Sequence, residues 1–205
     1  SRSSVAAITT KNNCPTFSMS GEQIQQLEME IGSNDKLVLK TFADEHIGNF
    51  VDAVLESEKT VGAWMPWWKK SYSARDAKEW FDACAENIEN NTAYDIGIFL
   101  KDSDYLAGGI SVNNIDWENR IGNIGYWVRE SLQHQGVGTG AIKLIEAFGF
   151  NALGLVRLEI VAIESNLISR KAAERSGFEF ECVAKNRLFH NNRPVTAAIY
   201  SSVVS

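Results

Sequence analysis

A chain of 205 residues, 44% hydrophobic and 22% charged, is long enough to bury one substantial core. Its net charge of −6 argues against general affinity for nucleic acid or anionic membrane and favours a cationic or amine substrate. No apolar run reaches the roughly 18 residues that span a bilayer, and the first residues lack the apolar stretch of a secretory signal. Cys14, Cys84 and Cys182 form neither a CxxC pair nor a zinc spacing, so free thiols in a reducing, cytoplasmic setting are expected.

Residues 1–34 are rich in Ser, Thr and Asn and read as a partly flexible extension, with one amphipathic piece around Ile24, Leu27 and Ile31. From Lys36 to residue 205 the text is that of one packed domain. Leu37 to Lys40 alternates as a short strand, and Asp44 to Glu58 places Ile47, Phe50, Val51, Val54 and Leu55 at helical spacing. Thr60 to Trp68 is an aromatic loop or short helix, with Trp64 expected in the core. Ser73 is a suitable N-cap for a helix through Ala77, Trp80, Phe81, Cys84 and Ile88.

The period then changes. Tyr94–Leu100, Leu106–Asn113 and Arg120–Arg129 read as a three-stranded meander. A glycine-rich turn, Gln133-His134-Gln135-Gly136-Val137-Gly138-Thr139-Gly140, leads into an amphipathic helix. Val156 to Ile163 is a further strand, Asn166 to Ser176 a helix stopped by Gly177, and Phe178–Phe189 with Pro194–Val204 a closing hairpin. The whole is one mixed α/β domain.

A strand that feeds glycines at a helix N-terminus gathers unpaired N–H groups where an anion can meet them. The turn is not a Walker loop, because no Gly-Lys-Ser/Thr follows. Gly136, Gly138 and Gly140 alternate, so it is not a dinucleotide fingerprint either. By itself the cluster is equally compatible with plain turn chemistry.

Gln133-x-x-Gly136-x-Gly138 resembles the Q/R-x-x-G-x-G/A signature of the GNAT N-acetyltransferase superfamily. Asn166-x-x-Ser169 followed by Ser176-Gly177-Phe178 is similar to a segment of its RimJ/RimL branch, whose members acetylate ribosomal-protein N-termini. Ile124-Gly125-Tyr126-Trp127, and Trp64-Met65-Pro66-Trp67 before Ser73-Ala74-Arg75-Asp76-Ala77, match in the same order, so the resemblance spans about residues 36–203. It implies the GNAT acyl-CoA fold, a mostly antiparallel twisted sheet flanked by helices, with acetyl-CoA as the acetyl donor. It also implies an amine acceptor, a ribosomal-protein N-terminus among the options, and a monomer or homodimer that uses no metal.

The same resemblance implies roles. The N–H groups of Gln135, Gly136, Val137, Gly138 and Thr139 would hold the coenzyme A diphosphate, with a helix dipole worth about 0.3–1 kcal/mol. Gln133 would add an uncharged contact, and His134 is either a partial cation there or a solvated loop residue. Asn166 would bond the pantetheine arm, N-cap its helix, or do both. Lys171 and Arg170 either meet the ribose phosphate or are solvated surface. Ser169 would stabilise the leaving thiolate, whose pKa near 8.5 calls for modest help. A backbone N–H near Val128 would meet the oxyanion, and Trp67 or Trp68, with Tyr126, would face the acceptor.

The general base departs from the pattern, because Leu188 and Thr196 stand where relatives carry acids. Glu159, two residues after Arg157 on the same strand face, and His190 in the last hairpin are the candidates, beside the readings of a rim salt bridge and a solvated turn. Asp95, Asp116 and Glu130 are not ranked by sequence. Freeing an α-amine of pKa near 8 at pH 7 costs about 1.4 kcal/mol, against about 4–5 kcal/mol for a lysine. A site without a strong base therefore fits an α-amine. A coenzyme A-binding module without catalysis, and an acetyltransferase for a small-molecule amine, are the alternatives.

Overall fold

The computed structural model describes residues 9–11, 14–16 and 28–204. Two short strands, β1 (Thr9–Lys11) and β2 (Cys14–Thr16), pair antiparallel with each other. The remaining strands form one eight-stranded sheet: β3 (Glu30–Ser33), β4 (Leu37–Lys40), β5 (Tyr94–Leu100), β6 (Tyr105–Asp116), β7 (Ile121–Val128), β8 (Arg157–Ile163), β9 (Glu179–His190) and β10 (Arg193–Val203). Their spatial order is β3-β4-β5-β6-β7-β8-β10-β9. Every pairing is antiparallel except β7 with β8.

Four helices cover the sheet: α1 (Ile47–Glu56), α2 (Ala74–Glu89), α3 (Val137–Asn151) and α4 (Leu167–Ser176). Strand alternation sends Tyr94, Ile96, Val112 and Ile124 into a core with Ile142, Ile145 and Phe148 of α3. A second core joins Phe42, Phe50, Val54, Phe81 and Cys84 to Phe99 and Leu106. In β5 this leaves Tyr94 and Ile96 fully buried and turns Asp95, between them, toward the α2 side.

Ser73 caps α2 in a capping box with Asp76, and Gly177 ends α4 in the left-handed conformation at φ +98°. The meander and the closing hairpin lie where the sequence puts them. One boundary moves: Glu30–Ser33, read as part of an extension, pairs with β4 as the edge of the main sheet, and Ile31 packs on the core. Ile24 and Leu27 lie outside the described residues. Among the described residues no helix is long and apolar enough to cross a membrane.

Candidate active site

Parallel pairing of β7 with β8 covers only Ile121↔Arg157, Gly122↔Leu158 and Asn123↔Glu159. Beyond Asn123 the strands part, and both border a cavity of about 500 Å³. Its wall includes Ile124 to Val128 on one side, Ile160 to Ile163 on the other, and the glycine turn at one end.

The turn is shaped by two left-handed residues, His134 at φ +61° and Gly136 at φ +83°. Gly136 is the N-cap of α3 and offers no capping side chain. The N–H groups of residues 135–139 have no acceptor among the described residues. They form a row of free donors on the positive end of a fifteen-residue helix. A Cβ at Gly136 would meet nothing within 4 Å, and one at Gly138 would come no closer than 3.6 Å to Val128. Packing therefore requires neither glycine, and the space in front of both is open.

The approach to the turn is pinned to α1. Arg129, 6% exposed, donates from Nε to Glu56 Oε2 at 2.6 Å and from Nη1 to Asn49 Oδ1. Ser131 N–H donates to Glu56 Oε1 and Glu130 N–H to Ser57 Oγ. Burial raises the Glu56 carboxyl, and the Ser131 and Arg129 bonds outweigh it, so its pKa is net lowered.

Gln133 Nε2 donates to the carbonyl of Val128 at 3.1 Å, so its amide braces the strand end while the residue borders the cavity. Arg129 N–H pairs with Ala107 O on β6. The preceding residue, Val128, thus directs its carbonyl and N–H away from β6, toward the parting. That N–H suits an oxyanion. Gln135 ties its side chain to Ser131 O and does not border the cavity, which leaves only its N–H on offer.

Across the parting, Asn166 Oδ1 accepts from Ser169 N–H at 3.1 Å and caps α4. Tyr126 Oη lies 3.1 Å from Ser169 O and 3.0 Å from Ser169 Oγ. Burial pushes the Tyr126 phenol up, and the Ser169 bond acts against it. A tyrosine from β7 thus stands on the serine, although no tyrosine follows it in α4. Sequence reading missed this link because the two residues are 43 positions apart.

Lys171 is exposed and off the cavity face of α4; Ile168, Ser169, Ala172 and Arg175 line the cavity instead. The spacing of three and four residues selects Arg175 as the cation. Arg170 is tied to Tyr200 Oη at 3.0 Å and to the Glu164 carbonyl. Lys59 and His134 complete the basic lining.

A second cavity, about 570 Å³, opens on the α2 side and shares Gly125, Tyr126 and Trp127 with the first. Trp67, Tyr72, Trp80 and Trp127 give it aromatic walls, and Asp76, Glu79 and Asp95 give it carboxylates. Burial pushes Asp95 up to about 6, against a hydrogen bond from Asn87. Lys69 and Ser73 hold Asp76 down at about 2. Burial also raises Tyr72, to about 12, and the Cys84 thiol beneath it.

Other expected residues fall elsewhere. Trp67 borders the second cavity, but Trp68 donates Nε1–H to Val54 O at 2.8 Å and packs on the α1/α2 core, so it lines neither of the two cavities. Trp64 is half-buried rather than core, because it lines the first cavity with its ring 6.3 Å from that of His190. His190 and Leu188 line that cavity too.

Glu159 does not line either cavity. Arg157 Nε holds it at 2.8 Å and also forks onto Glu181, so it is a strut between strands. Glu130 accepts from Thr60 and Asp116 from Asn119, and neither carboxylate lines either cavity. Glu28, His46 and Asp104 converge, but the Lys40 ammonium sits among them. His46 Nδ1 accepts from Ala43 N–H, which puts the ring proton on Nε2. Neither feature suits a metal.

Residues 36–179 match the family model described as an acetyltransferase (GNAT) domain. YdaF of Bacillus subtilis, which bears the name of a ribosomal N-acetyltransferase, is 26% identical over 82% of this chain and 91% of its own. The ribosomal-protein-serine acetyltransferase of Escherichia coli is 25% identical over 83% and 94%. Among solved structures, the microcin C7 self-immunity acetyltransferase MccE in complex with acetyl-CoA and AMP is 26% identical, with a TM-score of 0.76 over 83% of this chain and 94% of that one.

Proposed function

The chain belongs to the acetyltransferase (GNAT) family, and on that footing we propose that it transfers the acetyl group of acetyl-CoA to an α-amine at a protein or peptide N-terminus. The observation that carries this reading is the meeting of two cavities at Gly125, Tyr126 and Trp127. One has free amides for a diphosphate; the other is an aromatic, acidic cleft for an amine.

When bound, acetyl-CoA supplies a thioester whose carbonyl carbon accepts the amine lone pair as the carbon–sulfur bond breaks. The chain's own groups do the rest. Residues 135–139 offer N–H donors to the diphosphate, with Arg175 and Lys59 as the nearby cations. Val128 N–H faces the position where negative charge develops on oxygen. Ser169 donates toward the departing sulfur, oriented by Tyr126 and by the Asn166 cap. Among the described residues no cysteine lines the parting, and the amine attacks directly.

The α-amine preference follows from the modest basicity of the site together with the names borne by the relatives. Thiol release from acetyl-CoA across peptides with free N-termini, N-blocked lysine peptides, polyamines, amino acids and nucleotide-linked amines tests it. Peptide N-termini are expected to turn over fastest. Faster turnover of lysine side chains or small amines would redirect the acceptor, and acetyl-CoA binding without any turnover would leave a binding module.

A further inference from the structure

A polar track crosses the floor of the second cavity. Asp95, Ser111 and Gly125 are successive partners on β5, β6 and β7, so they project to the same face. Ser111 Oγ accepts from Asn113 Nδ2 at 2.7 Å, and Asn113 Oδ1 accepts from Asn123 Nδ2 at 2.9 Å. Asn123 Oδ1, beside the parting, is buried without a partner. Both amides thus direct their donors along the track toward the serine. The serine hydroxyl has only a 3.5 Å contact with Gly125 O, so its proton is free to re-aim.

Gly125 keeps this track open. A Cβ there would lie 3.2 Å from both Ser111 Oγ and Asn113 Nδ2. With strands about 4.8 Å apart, Asp95 stands about 10 Å from β7. That is too far to touch the attacking nitrogen, but within reach of one hydroxyl and one water.

The other charged groups facing the cavity are already engaged. Lys69 Nζ bonds Asp76 at 2.7 Å, and Arg75 reaches Glu79 at 3.4 Å. From α2, Asn87 donates to Asp95, while the Cys84 thiol is kept neutral by burial. Among the described residues, Asp95 alone of the cavity's three carboxylates has no cationic partner.

We propose that Asp95 takes the proton of the acceptor ammonium through Ser111, along the track that Gly125 leaves clear. This rests on the acetyltransferase reading above. One proton passes from the ammonium by water and Ser111 to the Asp95 carboxylate. The freed lone pair forms the carbon–nitrogen bond, the carbon–sulfur bond breaks, and its electron pair leaves on sulfur, which is then protonated. The new amide nitrogen loses its second proton to water, so the net products are amide, thiol and one proton.

The experiment is a pH profile of kcat/KM for wild type, Asp95→Asn, Asp95→Glu and Ser111→Ala with the best peptide acceptor. Asp95→Asn is expected to lose about 100-fold at pH 7. It should recover to within about fivefold of wild type near pH 9.5, where the amine arrives neutral. Asp95→Glu should restore the neutral-pH rate, and Ser111→Ala should behave as a weaker Asp95→Asn. Carbon-detected NMR of the Asp95 carboxyl in the acetyl-CoA-free protein should show its midpoint fall when a tripeptide amide with a free N-terminus binds. Equal loss at every pH, or an unmoved midpoint, overturns the proposal. Failure of every amine to release thiol from the wild type would instead overturn the acetyltransferase reading and this one with it.

Discussion

Tyr126 Oη stands 3.0 Å from Ser169 Oγ and 3.1 Å from the carbonyl of the same residue, so one phenol aims one serine. If Ser169 steadies a departing thiolate, its own hydrogen must point into the cavity, and the phenol makes that possible by donating to the serine carbonyl or oxygen. Tyr126→Phe is expected to lower kcat about tenfold with little change in the KM for acetyl-CoA. Ser169→Ala should cost about 10–100-fold, the range for a hydrogen bond to a charged group. Steady-state kinetics check both, and an additive double variant would separate the two residues.

The two glycines of the turn are expected to fail differently. Gly136 lies at φ +83°, so Gly136→Ala strains the backbone by about 1–2 kcal/mol although its Cβ meets nothing. Gly138 sits in helical backbone with ordinary clearance, so Gly138→Ala should hold or raise stability by up to about 1 kcal/mol. Gly138→Val should nevertheless reduce coenzyme A affinity at least tenfold by crowding the free amides. Thermal melts beside calorimetric titration separate the outcomes. Unchanged affinity in Gly138→Val would remove the diphosphate from this turn.

Asn166→Ala removes the side-chain cap of α4 and is expected to cost about 1 kcal/mol, read as a lower melting temperature. Asn166→Ser retains a capping oxygen and should recover most of that stability. Any loss of coenzyme A affinity that Ser does not recover measures the amide's contact with the ligand.

Asp95 carries an opposite sign in stability. Burial raises its folded pKa to about 6, so its favourable contribution is complete below the unfolded value and is lost as pH rises through 6. At pH 7 the buried charge costs on the order of 3 kcal/mol. Asp95→Asn is therefore expected to melt higher than wild type at neutral pH and to lose that advantage near pH 4. A variant less stable at pH 7 would contradict this.

The strut on β8 and β9 behaves in the usual acidic manner. Arg157 and Ser201 hold Glu181 down at about 2, so its contribution is present above the ordinary carboxylate range and disappears as pH falls through 2. Glu181→Gln should melt slightly lower than wild type at pH 7, the loss kept small because the pair is largely solvated, and should converge with wild type near pH 2, which flattens the acid limb followed by circular dichroism.

Much of this was written in local pattern. Alternation and turn residues located β5 to β10, and the glycine turn and Asn166, far apart in sequence, line one cavity between β7 and β8. The edge strand Glu30–Ser33 was hidden because four residues with Ile31 as the one large apolar side chain carry no period; its pairing with β4 supplies the order. Lys171 was expected from the family resemblance, whereas the cavity face of α4 runs through Ile168, Ala172 and Arg175 at helical spacing. Asp95 did leave a signal, a single charge inside Tyr94–Leu100. Its depth depends on α2 folding over it, which no local window contains. Tyr126 with Ser169, and Trp68 with Val54, are likewise products of tertiary approach.

The parting of β7 and β8 makes the sheet mechanically uneven. Five strands on one side and three on the other are joined along this line by three residue pairs, with α3 as the covalent strap. Amide exchange should accordingly be fastest along the inner edges beyond Asn123 and Glu159, and slow there once acetyl-CoA bridges them. Protection should then spread to both halves together, as if the cofactor were a missing stitch.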